Sequence, residues 1–178
     1  MIPRQFCLSL ILSCLPIFAS AGMIPKAPDI DATGYLLMDA ASGQSLVQHN
    51  IDARLPPASL TKMMTAYIVE RELDEGRISM TDMVPISVRA WKTEGSRTFV
   101  REGTSVPVET LLKGVIIQSG NDASVALAEF VAGSEDAFVD IMNQQAQLLG
   151  MKGTHFENAT GLPSPEHFST AYDLAILA

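Results

Sequence analysis

The sequence predicts a mixed α and β domain in which a helical subdomain carries a small antiparallel sheet. Three observations predict it. Residues 35–48 alternate around a Gly-containing turn in the manner of a hairpin, a mostly apolar segment follows Pro56-Pro57, and residues 108–149 hold three further helix-like runs. With 178 residues, 47% of them hydrophobic, the chain is long enough for one domain with a substantial core.

Taken in order, Met1–Gln5 carries Arg4, Phe6–Phe18 is mostly apolar, and Ala19-Ser20-Ala21 fits a small-x-small cleavage site. Residues 1–21 therefore read as a secretory signal peptide and 22–178 as the working domain. Acylation at Cys14 is the weaker reading, since the apolar run continues beyond it. Cys7 and Cys14 both fall in the signal, so the exported chain would hold no disulfide and no thiolate metal site. That suits a bacterial periplasm or the outer face of the cytoplasmic membrane. Twenty acidic against twelve basic residues give a net charge of −8, which argues against nucleic acid as a partner.

Residues 22–32 read as a lead-in. Tyr35–Asp39 and Ser45–Gln48 flank the turn Ala41-Ser42-Gly43-Gln44 as a hairpin. Pro56-Pro57 halts the chain, Ser59 stands where a helix can begin, and six of the seven residues from Met63 to Val69 are apolar or alanine. A helix apolar on most sides is a buried one, and this one ends near Glu75-Gly76. Residues 77–103 are irregular, with Met83–Ile86 extended and Thr98, Phe99 and Val100 as candidates to line a cleft. Val108–Gln118, Asp122–Ala132 and a segment from Ser134 to Gly150 are helical. Ser169–Ala178 begins a last helix with no stop signal, so the chain reads as a fragment or a truncated product.

Two constellations carry chemistry. Ser59 and Lys62 lie one helical turn apart on a shared face, so a hydroxyl and an amine can meet. A serine is a weak nucleophile until a base takes its proton, and a lysine becomes a base once desolvation lowers its pKa. The alternative is a serine N-cap followed by a solvated lysine. Ser119-Gly120-Asn121 breaks two apolar helices, with Gly120 permitting a turn that points Ser119 and Asn121 the same way. Ser119 can relay a proton to a leaving amine, and Asn121 can orient a substrate amide or the lysine. The alternative there is a helix stop followed by an N-cap. The two motifs stand 60 residues apart, each occurring once.

The sequence resembles the serine penicillin-binding proteins, most closely the low-molecular-mass D-alanyl-D-alanine carboxypeptidases. The likeness runs through Pro57–Thr65, Gln118–Ala123, Ala137-Phe138-Val139, Asn143, Leu149-Gly150-Met151, Thr154-His155-Phe156, Asn158–Leu162 and His167–Ala175. It implies the β-lactamase/DD-peptidase-like transpeptidase fold and an acyl-enzyme mechanism on a peptidoglycan stem peptide ending in D-Ala-D-Ala. Ser59 would attack, Lys62 would accept its proton, Ser119 would protonate the departing D-alanine, and Asn121 with Gly120 would hold the peptide. β-Lactams would acylate Ser59 instead. No cofactor or metal is implied. The family's later Lys-Thr/Ser-Gly motif, which binds the terminal carboxylate and supplies one of two oxyanion donors, is absent; Lys152-Gly153-Thr154 has another order and is rejected. Relatives also complete their sheet with strands from that later region, so the hairpin here is expected to keep an unpaired edge. A membrane surface would be reached only through a C-terminal anchor, which this sequence lacks.

Other readings have less support. A β-lactamase would show Ser-Asp-Asn and a deacylating glutamate. A DD-endopeptidase shares the same motifs, and a non-catalytic truncated product is the third possibility. His49, His155 and His167 lack metal-ligand spacing and read as loop or strand-end histidines. Asp29, Asp31, Glu70, Glu72, Asp74 and Glu75 read as solvated acids.

Overall fold

The apolar segment after the two prolines forms α1, Thr61–Asp74, which buries Met64, Ile68 and Val69 and runs through the middle of the domain. The computed structural model describes residues 28–178, so the signal-peptide reading of residues 1–21, with Cys7 and Cys14, lies outside the described residues. Residues 31–178 make one compact unit; of the preceding unit only residues 28–30 are described, exposed and without regular structure.

The hairpin forms as expected, β1 (Tyr35–Met38) antiparallel to β2 (Ser45–His49), with a register shift between Leu37 and Met38. It is a two-stranded sheet by itself among the described residues, and it leaves Leu37 and Leu46 exposed. A second pair joins β3 (Met83–Pro85) to β4 (Ser105–Pro107). Between them lies a short helix, α2 (Val88–Lys92), whose N-cap Ser87 accepts from the Ala90 N–H. The sequence reading places α2 within irregular chain and assigns nothing to β4. Five and three residues are too few to show a period, and only the pairing of distant segments stabilises them.

α3 (Val108–Gln118), α4 (Asn121–Ala132) and α5 (Glu135–Leu149) follow the sequence reading closely. Every residue of α4 from Asn121 to Ala128 is buried. Its alanines let neighbouring helices come close, so α4 joins α1 at the centre. Val69 of α1 belongs to a core with Leu111, Val115, Val125 and Leu127. Met64 and Ile68 belong to a second, with Phe138, Met142, Met151 and Phe156. α1 is thereby fixed on two sides. The last helix, α6 (Ala171–Leu177), is capped by Thr170, whose side chain accepts from Asp173 N.

Candidate active site

Ser59 does not sit at an N-cap. It occupies a 3-10 turn, Ala58–Leu60, that runs directly into α1, and no side-chain cap is made there. Ala58 takes a left-handed backbone, φ +47°. For a residue with a Cβ this costs about 1–2 kcal/mol, and strain of this kind gathers where geometry serves a function. The turn leaves Ser59 exposed, while Lys62, one turn on, is only 5% exposed.

The Lys62 Nζ donates to Ser59 Oγ at 3.4 Å and to the Thr160 carbonyl at 2.7 Å. Burial pulls its pKa down from the usual lysine value to about 8. The amine is thus oriented toward the hydroxyl, and much of the cost of removing its proton has already been met. A long hydrogen bond of this kind is usual for a catalytic pair without substrate.

The other side of this arrangement is the loop Asn158–Leu162, whose part in placing Lys62 the sequence reading missed. Asn158 Oδ1 accepts from the N–H groups of Thr160 and Gly161 and from the Thr160 hydroxyl, which winds the loop tightly. Thr65 of α1 donates to the Ala159 carbonyl at 2.8 Å. Gly161, at φ +85°, lies flat on the Ser59 turn; a Cβ there would come within 1.8 Å of the Ala58 carbonyl oxygen. His167 completes the support. Its Nδ1 accepts from Glu157 N–H at 3.0 Å, so the proton is on Nε2, which donates to Thr61 Oγ1 at 2.8 Å. Burial lowers the pKa of this ring, favouring the neutral form that the pairing needs. No spacing rule could have found a bond between residues 61 and 167.

Ser119 enters from α3. It, not Gly120, takes the left-handed backbone at the helix break: φ is +55° at Ser119 and −67° at Gly120. Gly120 is needed for a different reason from the one expected, because a Cβ there would lie 2.1 Å from Thr98 Oγ1. The Ser119 hydroxyl is buried and has no hydrogen-bond partner among the described residues. Ser59, Lys62 and Ser119 line one cavity of about 350 Å³, floored by Met63, Ala66 and Val115. A larger apolar groove, about 880 Å³, runs between β1 and α6; it shares Met63 with the first but includes none of Ser59, Lys62 and Ser119. Size alone does not single out the site: the groove carries the hydroxyls of Ser169 and Thr170 but no lysine or other base beside them.

Asn121 is turned elsewhere. Its amide Nδ2 donates to the Glu94 carbonyl at 2.6 Å and its backbone N–H to Ser96 O at 2.7 Å. Neither Gly120 nor Asn121 lines the cavity. Asn121 works with Asp122, a fully buried carboxylate that accepts from Thr98, Val100 and Ala123 N–H groups. Together they hold the 94–100 loop on the helix break. Of the three residues expected to line a cleft there, Thr98 fills the notch over Gly114 and Gly120, Val100 is core, and Phe99 is 79% exposed at φ +63°. Asp122→Ala should cost about 3 kcal/mol by leaving the buried Val100 N–H unpaired. Amide exchange at Thr98 and Val100 should accelerate with it, and unchanged exchange would mean that the loop is held by other contacts.

Lys152-Gly153-Thr154 serves the fold and not the site. Gly153 N–H and Thr154 Oγ1 both donate to Asp173 Oδ2 at 2.7 Å, which ties this turn to the start of α6. Among the described residues no cluster of three His, Cys, Asp or Glu side chains could hold a metal ion.

A family model described as Peptidase S11, D-alanyl-D-alanine carboxypeptidase, matches residues 21–178. The D-alanyl-D-alanine carboxypeptidase DacA of Escherichia coli K12 is 45% identical over 161 residues, covering 87% of this chain and 40% of that protein. The crystal structure of the D-alanyl-D-alanine carboxypeptidase DacD from Francisella tularensis superposes with a TM-score of 0.84 at 43% identity, covering 91% of this chain and 41% of that one. Penicillin binding protein 5 from Haemophilus influenzae gives 0.83 at 46% identity, over 88% and 46% of the two chains. This chain therefore spans less than half the length of these relatives, and the mixed α/β architecture is theirs over the shared part. Matched by that family model over residues 21–178 and sharing the fold of these relatives at more than 40% identity, the chain belongs to the D-alanyl-D-alanine carboxypeptidase family, peptidase S11.

Proposed function

We propose that the chain carries the nucleophile half of a serine-type D-Ala-D-Ala carboxypeptidase. The observation that carries this reading is Lys62 Nζ, desolvated and held between Ser59 Oγ and the Thr160 carbonyl. Ser59 Oγ attacks the carbonyl carbon between the two terminal D-alanines while its proton passes to Lys62. The C–N bond then breaks, and the leaving nitrogen takes a proton from Lys62 through the Ser119 hydroxyl. Water hydrolyses the ester, releasing the shortened peptide acid and regenerating Ser59. A β-lactam enters the same first step, its ring amide in place of the peptide bond. Asn121, bonded to Glu94, and Gly120, packed under Thr98, act indirectly, by seating the 94–100 loop on the helix break that presents Ser119. The substrate lies outside the cytoplasmic membrane, and the charged, apolar and small-residue pattern of residues 1–21 supports export to the periplasmic side.

The test is the intact mass of the protein after incubation with benzylpenicillin. A single adduct of the mass of the antibiotic is expected, lost in Ser59→Ala. An adduct that survives Ser59→Ala, or none from a folded chain, would remove Ser59 as the nucleophile.

A further inference from the structure

We infer that Glu135 is a positioning residue for Lys62, acting through the Asn158–Leu162 loop together with Thr65 and Arg89. The inference rests on the reading of Ser59 and Lys62 as nucleophile and base. Glu135 is the first residue of α5 and only 6% exposed. A carboxylate so buried requires partners, and it has two on opposite sides. Its Oε1 accepts from the Ala159 N–H at 3.1 Å, and its Oε2 pairs with the Arg89 guanidinium of α2 at 2.7 Å. The N-terminal end of a helix favours the negative charge as well.

The bonds made by Asn158 stiffen the loop but do not decide where it lies on the helices. Ala159 does that. Its N–H is held by Glu135 and its carbonyl by Thr65, at 3.1 and 2.8 Å. The next carbonyl along, that of Thr160, is the one that receives Lys62 Nζ. A stiff loop hung at Ala159 therefore carries the acceptor that aims the amine at Ser59. Releasing Ala159 shifts Thr160 O, and Lys62 moves with it. Arg89 is half-exposed and also reaches Asp136 at 3.4 Å, so it anchors the carboxylate from the solvent side.

The test follows Ser59 acylation by benzylpenicillin over a range of antibiotic concentrations, which separates non-covalent association from the covalent step. Rates are normalised to the folded fraction from circular dichroism. A misplacement of about 1 Å can cost on the order of 100-fold in rate, and a loss of that order in the covalent step is expected for Glu135→Ala, with association unchanged. Glu135→Gln keeps an acceptor for the Ala159 N–H and should recover most of that loss. Thr65→Val, which removes the grip on the Ala159 carbonyl with little change of shape, should fall in the same direction and decides the matter if Glu135→Ala does not fold. Variants whose folded fraction acylates at the parental rate, or which lose association alone, would overturn the inference while the reading of Ser59 stands. A parent protein that forms no adduct would overturn both.

Discussion

Replacing Lys62 with methionine should slow acylation of Ser59 by roughly 10²- to 10⁴-fold, the usual worth of a positioned general base, and should abolish its pH dependence near 8. The parent rate should climb about tenfold per pH unit below 8 and level off above it, because only the neutral amine can take the serine proton and burial brings its pKa to about 8. At pH 7 roughly one molecule in ten then holds a neutral lysine, against about one in 3,000 for an unperturbed side chain. Rates of adduct formation measured from pH 6 to 9.5 check this. A parent profile that is flat through pH 8 would take the role of base from Lys62.

The same burial has a stability consequence with a definite sign. The folded-state pKa is lowered while the unfolded chain keeps an ordinary lysine, so between about 8 and 10.5 the unfolded state binds more protons. Stability of the parent, relative to Lys62→Met, should therefore rise as pH climbs through that window. Below 8 the penalty of burying the charge is present in full. Denaturant midpoints of the two proteins at pH 7 and pH 10 measure the change. A constant difference would place Lys62 in a more solvated environment than the structure gives it.

Gly161→Ala should be the most damaging alanine substitution among the glycines of the described residues. Its Cβ would sit 1.8 Å from the Ala58 carbonyl oxygen and 3.0 Å from Thr61 Oγ1, at a left-handed φ of +85°. Backbone cannot yield as a flexible side chain does, so strain and overpacking together should cost roughly 2–4 kcal/mol. Acylation by benzylpenicillin should fall as well, since the displaced partner is the turn that carries Ser59. Gly150→Ala provides the comparison: φ is +81° there, but nothing lies within 4 Å of the added carbon. It should lose only the conformational part, about 1–2 kcal/mol. Equal losses in the two variants would show that Gly161 does not press on the turn.

Much of this was legible along the chain. α3 and the hairpin have bounds within a residue of those expected, because an apolar period and a turn residue are local properties. The meeting of Ser59 with Lys62 was legible because residues one helical turn apart share a face, whereas the approach of Ser119 to them is a tertiary contact. What the spacing could not show was anything made by contact at a distance: the pairing of β3 with β4, the short α2 between them, and the loop carbonyls of Ala159 and Thr160 that hold Thr65 and Lys62. Asn121 shows the limit from the other side. Its place in the motif suggested that it shares a direction with Ser119, but its amide goes to Glu94, since the irregular 94–100 stretch folds over the helix break and claims it. Gly120 likewise supplies empty space beside Thr98, and the left-handed turn falls on Ser119 instead.

The bonds that arm Lys62 also set when during folding it can be armed. Lys62 and Thr160 are 98 positions apart, Thr65 and Ala159 94, Thr61 and His167 106. Closing a loop of that length costs on the order of 4 kcal/mol in chain entropy, and α1 with only its local partners cannot recover it. A chain emerging at 5–20 residues per second needs roughly 5–20 seconds to deliver the 158–167 segment after Lys62 has appeared. Through that interval Ser59 and Lys62 are present but solvated, so the lysine keeps an ordinary pKa until that segment has docked on α1.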